Sequence, residues 1–136
     1  MTHQDSDEHP EGSLVLRTMA MPADTNPNGD IFGGWILSQM DIAGGILAKE
    51  VSQGRVVTVA VNAMKFIRPV RVGDIVCCFG SVVRIGTTSI TLQLEVWIKP
   101  LLHERESEDL RLKVTEAEFV FVAIDEDGNK RPVEAT

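Results

Sequence analysis

The chain reads as an α+β domain in which one long helix lies against an antiparallel sheet of about five strands. Three observations lead there. Ile36, Leu37, Met40, Ala43, Gly44, Leu47, Ala48 and Val51 gather within roughly 140° of a helical wheel, the width of a core-facing stripe. After Gly54 the composition turns β-branched, and four strand-like segments follow with hairpin-length connections. The 136 residues, 43% of them hydrophobic, suffice for one domain and one core, not for two. A single helix leaves one face of such a sheet bare, and a second copy of the chain is the simplest cover for it.

Taken in order, residues 1–12 are polar and acidic, with Pro10 and Gly12, and read as a disordered tail. The domain is expected over 13–131, with 132–136 as a C-terminal tail. Leu14 to Met21 gives a short strand. Pro22 to Asp30, PADTNPNGD, is dense in turn formers, and its Asn26 and Asn28 suit caps, turns or ligand hydrogen bonds. The helix is expected from about Gly34 to Gln53, with Gly54 as its stop. Because Ile42 and Ile46 are apolar off the main stripe, the helix is expected to have little free surface. Strands follow at Arg55–Arg68, Asp74–Arg84, Ile90–Lys99 and Leu110–Ile124, separated by turns at Arg71–Asp74 and Gly86–Ser89 and by the charged segment Pro100–Asp109. In the third of these, Leu92, Leu94, Val96 and Ile98 alternate with Thr91, Gln93, Glu95 and Trp97, predicting one core face and one wetter face. In the last, Glu116 and Glu118 share a face with Val120 and Val122, which predicts a bulge or an edge position there. Asp125–Asn129 has a calcium-loop flavour but lacks the downstream ligands, and reads as a turn.

Charge and residue usage exclude several functions. Of the net −7, four negative charges (Asp5, Asp7, Glu8, Glu11) sit in the tail without a single Lys or Arg, and no basic face remains for nucleic acid. An anionic ligand must be held by local groups such as Lys65, Arg68 and Arg71, or Arg55 and Arg84. No leader pattern and no apolar run near 20 residues is present, so a cytoplasmic protein without a membrane partner is expected. Cys77 and Cys78 are adjacent in a strand and point to opposite faces, which suits packing and neither a disulfide nor a metal site. His3, His9 and His103 fall in the tail and a loop, so schemes built on a catalytic or metal-binding histidine lose their usual residue.

Two features carry chemistry. A Gly33–Gly34 pair at the helix start leaves backbone N–H groups free and lets another molecule approach them, a donor site for an oxyanion or carbonyl oxygen; a tight turn is the bland alternative. Seven residues on, Asp41 sits at the edge of the apolar stripe, either as a satisfied structural carboxylate or as a reacting one. Together they suit attack on a polarised carbonyl, worth about 10²–10³-fold per donor and about 10²–10⁴-fold for a positioned base. Asp41 serves equally as general base or covalent nucleophile. Only its ionised form acts, so activity should persist at neutral pH and fall in acid.

The motif N-x-x-G-x-x-x-G-G-x-x-x-x-x-x-D, present as Asn26, Gly29, Gly33, Gly34 and Asp41 and followed by GRVVTVAVNAMKFIRPVRVGDIVCC, resembles the hotdog-fold acyl-CoA thioesterases of the YciA type, which are similar to the mammalian cytosolic acyl-CoA hydrolases. The resemblance covers roughly residues 13 to 131. It implies a hotdog fold and a hydrolase of lipid metabolism that splits acyl-CoA into free acid and coenzyme A without a serine-esterase nucleophile, a cofactor or a metal. It implies Asp41 as the catalytic carboxylate, Asn26 of a neighbouring protomer sharing the site, an N–H near Gly34 polarising the carbonyl, and Thr58 bordering the reacting water. Gly33 belongs to the same helix start. Arg55, Val56 and Val57, with Gly86, Thr87, Thr88 and Ser89, are implied to lie near the nucleotide end of coenzyme A. It further implies dimers assembled into a homohexamer, three dimers together. Two other readings stand beside it: a hydratase on the same fold, which lacks its usual helix histidine here, and a non-catalytic acyl-CoA sensor, which has no need of Asp41. A purely structural oligomer has no need of it either. Trp35, Met40 and Met64 are candidates for lining an acyl tunnel or for plain core packing.

Overall fold

The computed structural model describes residues 9–100 and 111–133. The first eight residues of the acidic tail, most of the charged segment after Lys99 with His103, and residues 134–136 lie outside the described residues. The elements are β1 (Ser13–Met19), a 3-10 turn (Pro22–Asp24), α1 (Gly33–Ser52), β2 (Val56–Phe66), β3 (Ile75–Ile85), β4 (Ser89–Lys99) and β5 (Leu112–Ala123). The five strands form one antiparallel sheet in the order β1-β3-β4-β5-β2. No helix among the described residues is long and apolar enough to cross a membrane.

The stripe read from the sequence is the face that meets the sheet, except for Leu37, which is exposed. Ile36, Met40, Ala43 and Ala48 of α1 pack on Leu92, Leu94 and Val96 of β4 and on Phe119 and Phe121 of β5. Each such large side chain contributes about 1.5–3 kcal/mol by leaving water. Close approach depends on Gly44, where an added Cβ would meet the Phe121 ring at 2.8 Å and Leu94 at 2.9 Å. Met40 is fully buried, and Trp35 and Met64 lie partly buried against the same core, so all three pack with the hydrophobic interior.

Several expectations change in the folded chain. The helix begins one residue earlier, at Gly33, and its end is capped by Gln53 in the left-handed conformation (φ 57°, ψ 42°), not by Gly54. Gly54 is needed for space: a Cβ there would meet the Arg131 guanidinium at 2.3 Å. Ile42 and Ile46 are 50% and 39% exposed, so α1 keeps an apolar flank with no cover among the described residues. The second face of β4 is not wet. Trp97, Glu95 and Thr91 are buried, Trp97 against Cys77 and Phe79 of β3. The cover comes from two sides. Arg111 stacks over Phe79 at 5.8 Å, and Glu95 accepts hydrogen bonds from the Trp97 indole at 2.9 Å and from the backbone N–H of Glu11 at 3.3 Å. Cys77 and Cys78 do point to opposite faces, one into each cluster.

The irregularity predicted around Glu116 and Glu118 exists, but the extra residue belongs to the opposing strand. The pairing steps from Asn62↔Glu118 to Lys65↔Glu116, three residues of β2 against two of β5. Ala63 takes up the kink with φ 51°. A first slip lies between Thr58 and Ala60. β5 is interior, and β2 is an edge strand with both flanks of Val57, Val59 and Val61 exposed.

Candidate functional site

The loop ahead of α1 is a closed turn built on Asn26. Its side-chain oxygen accepts the N–H groups of Asn28 at 2.9 Å and Asp30 at 3.1 Å, while its carbonyl accepts Gly29 N–H at 2.9 Å. Gly29 supplies the φ of 90° that this turn requires. Asn26 thus has its turn-forming role, and the amide nitrogen of the same side chain has no partner among the described residues. Ile31 hangs the loop on the Val70 carbonyl at 2.9 Å.

The helix start is left without a side-chain cap. The residue at the cap position is Phe32, which offers no side-chain acceptor, and its carbonyl takes the N–H groups of Trp35 and Ile36. The N–H groups of Gly33 and Gly34 remain without acceptors among the described residues, with the positive end of the helix dipole behind them. Gly33 lines a cavity of 410 Å³ whose walls also include Asn26, Asp30, Ile36, Phe66 and Arg68.

Asp41, two turns along α1, is exposed in the single chain and accepts a 2.5 Å hydrogen bond from the Thr58 hydroxyl of β2. That pairing fixes one carboxylate oxygen and leaves the other free. Asp41 with Thr58, and Gly33 with the ring of Phe66, mark two points along the antiparallel contact between α1 and β2. Neither Asn26 nor the glycine pair touches Asp41 in the same chain.

The residues expected at the nucleotide end also converge, two parts of the chain joined through the end of β5. The Arg55 carbonyl accepts Ile124 N–H at 3.0 Å, Val56 pairs with Ala123, Ser89 pairs with Val122, and Ala123 donates to Thr88 at 2.9 Å. Gly86 closes its turn on the Ser89 carbonyl at 2.8 Å, and Gly86 and Thr87 border an open depression of 600 Å³. Of the cations marked in the sequence, Arg68 and Arg71 share a separate 290 Å³ cavity, with Arg68 anchored on the Lys113 carbonyl at 2.8 Å. Lys65 is exposed and does not line that cavity.

A model of the thioesterase superfamily matches residues 28–102, which hold the glycine pair, Asp41 and Thr58. The acyl-CoA thioester hydrolase YciA of Salmonella typhimurium is 60% identical over 127 residues, covering 93% of this chain and 94% of that protein. The chain belongs to the YciA family of acyl-CoA thioester hydrolases. YciA of Escherichia coli is 59% identical, covering 92% of this chain and 95% of its own length. Among solved structures, a hexameric thioesterase from Yersinia pestis superposes with a TM-score of 0.87 at 54% identity, covering 93% of this chain and all of that one. A hexameric hotdog fold thioesterase of Campylobacter jejuni superposes at 0.85 with 42% identity, covering 93% of each. The helix on a five-stranded antiparallel sheet is the hotdog fold.

Two residues of this region carry no signal in the sequence. Phe66 looks like one more apolar strand residue, and its ring meets Gly33 only through a contact between distant segments. Arg131 falls at the last position of the expected domain. Its guanidinium donates to the carbonyls of Ser52, Arg55, Ile124 and Pro132 and to the Ser52 hydroxyl. No local pattern announces either contact.

Proposed function

We propose that this chain hydrolyses acyl-CoA esters at a site shared between two copies, with Asp41 as the attacking or water-activating carboxylate. The observation that carries the reading is the hydrogen-bonded pair Asp41–Thr58 on the same helix whose uncapped start leaves two amides unused. The Gly34 amide receives the thioester oxygen, where negative charge develops, and the free amide nitrogen of Asn26 borders the same space. The Thr58 hydroxyl donates to one oxygen of Asp41 and so orients the other toward the carbonyl carbon or the attacking water.

Distances argue for two copies. Seven residues of helix separate Gly34 from Asp41 by roughly 10 Å along the axis. Direct attack needs the carboxylate oxygen roughly 6 Å from the amide that holds the carbonyl oxygen, since the reacting atoms approach to about 3 Å. One helix therefore supplies the donor to one thioester and the carboxylate to another. A second copy related by a two-fold axis restores the pair. The exposed edge of β2 and the bare flank of Ile42 and Ile46 offer the surface for it, and further association into a hexamer accords with the hexameric relatives. The depression beside Gly86 and Thr87, with Arg55 to Val57 next to it, takes the nucleotide end of coenzyme A.

The test is release of free coenzyme A from acyl-CoA esters of short to long chain by the wild type and by Asp41→Asn. The expected loss in the variant is about 10²-fold or more, with binding retained. A wild-type chain that binds the esters and never releases coenzyme A is a sensor, and the enzymatic reading fails.

A further inference from the structure

The ring of Phe66 is the feature of this site that the mechanism above leaves unused. Phe66 ends β2 and its ring touches the first residue of α1: a Cβ built on Gly33 would lie 3.4 Å from both Cε2 and Cζ. One side of the ring is seated on the glycine. The residue is nonetheless 49% exposed, and it walls the 410 Å³ cavity that also takes in Asn26 and Gly33. A large aromatic half in water beside unused backbone donors is a surface waiting for a ligand group, since burying its free face would contribute about 1 kcal/mol or more.

The strand register fixes the face it takes. Thr58 lies opposite Phe121, Val61 opposite Phe119 and Phe66 opposite Thr115, on the side of the sheet where Val56 and Met64 also pack on the core. Each slip in β2 shifts the parity by one residue and the two cancel, so Phe66 stands on the same face as Thr58, eight residues before it.

Resting on the reading that the helix-start amides receive the thioester oxygen, we propose that Phe66 is a specificity-determining residue: its ring limits the bulk an acyl group carries on the carbon next to the carbonyl. A carbonyl oxygen about 2.9 Å from those amides places its carbon and first substituents within van der Waals range of a ring seated on Gly33. Phe has two side-chain torsions and little room to yield, so an unbranched acyl chain passes the ring and one with a methyl on the α-carbon meets it.

The experiment compares kcat/KM for butyryl-CoA and isobutyryl-CoA, isomers that differ only in that branch, in the wild type, Phe66→Ala, Phe66→Leu and Phe66→Trp. The readout is the branched-to-straight ratio, which does not depend on how much of a variant is folded. Phe66→Ala should raise the ratio about tenfold or more, Phe66→Leu by less, and Phe66→Trp should lower it. A ratio that stays within about twofold of wild type in both Phe66→Ala and Phe66→Leu, with turnover of butyryl-CoA intact, overturns the proposal. Absence of turnover of either ester by the wild type overturns the functional reading instead, and the role of Phe66 with it.

Discussion

The proposed sharing of one site between two copies makes a quantitative prediction for mixed assemblies. The two perturbations are Asn26→Asp and Asp41→Asn. Aspartate is chosen at position 26 because the Oδ1 atom closes the loop through Asn28 and Asp30 and must be kept, while the unpartnered amide nitrogen is removed. Each variant alone should retain on the order of 1% of wild-type activity, the loss expected for a positioned catalytic group. On the proposed reading each site of a two-fold assembly takes Asn26 and the Gly34 amide from one copy and Asp41 with Thr58 from the other. When equal amounts exchange at random, about one site in four draws both its parts from undamaged halves, so the mixture should recover about a quarter of wild-type activity. That is roughly 25-fold above either parent. The assay is coenzyme A release before and after subunit exchange, with exchange verified by native mass spectrometry of two mass-labelled parents. If both parts came from a single chain, every site would carry one lesion in any mixture. Verified exchange with activity still at the parental average would refute the shared site.

Two further outcomes follow from local geometry. Ala63→Gly should stabilise the protein by about 0.5 kcal/mol, because relief of the left-handed strain at φ 51°, about 1–2 kcal/mol, exceeds the added backbone freedom of glycine, about 0.5–1 kcal/mol; urea unfolding measures it, and a loss of stability contradicts the strain assignment. Burial, reinforced by its neighbour Cys77, pushes the Cys78 thiol from its ordinary value near 9 up to about 12. The unfolded thiol ionises first, so this contribution is whole below about pH 9 and falls by about 1.4 kcal/mol per pH unit between 9 and 12. Chemical denaturation at pH 8 and pH 10.5 should show that slope in the wild type and a smaller one in Cys78→Ala.

Periodicity carried the fold a long way. The helical stripe, the strand runs and the turns at Arg71–Asp74 and Gly86–Ser89 are all visible in spacing, because a core imposes its period directly on the residues that fill it. The site was half visible: a glycine pair and a carboxylate seven residues apart are local facts, and so is their wheel position. What escaped depends on contacts between distant segments. Gly54 looked like a cap because glycine usually is one, yet its role is set by Arg131, and Gln53 accepts the left-handed turn in its place. The second face of β4 looked solvated from Thr91, Gln93 and Glu95, since alternation reports polarity and not what lies across the strand. Trp97, Arg111 and the segment before β1 close over that face. The contact of Phe66 joins it to a residue 33 positions away, and between the two slips of β2 it is Val61, not Ala60 or Asn62, that shares a face with Thr58, a parity change that strand reading cannot see.

The Arg131 guanidinium bears on the order in which the molecule can assemble. Its hydrogen bond to Ser52 joins positions 79 residues apart, and the bond to the Arg55 carbonyl spans 76. Both fasten the joint between α1 and β2, two elements that are neighbours in the chain and emerge early in synthesis. Helix formation is local and fast, whereas closing a loop of that length carries a large entropic cost before any contact repays it. The joint therefore waits for a residue that follows every strand of the sheet.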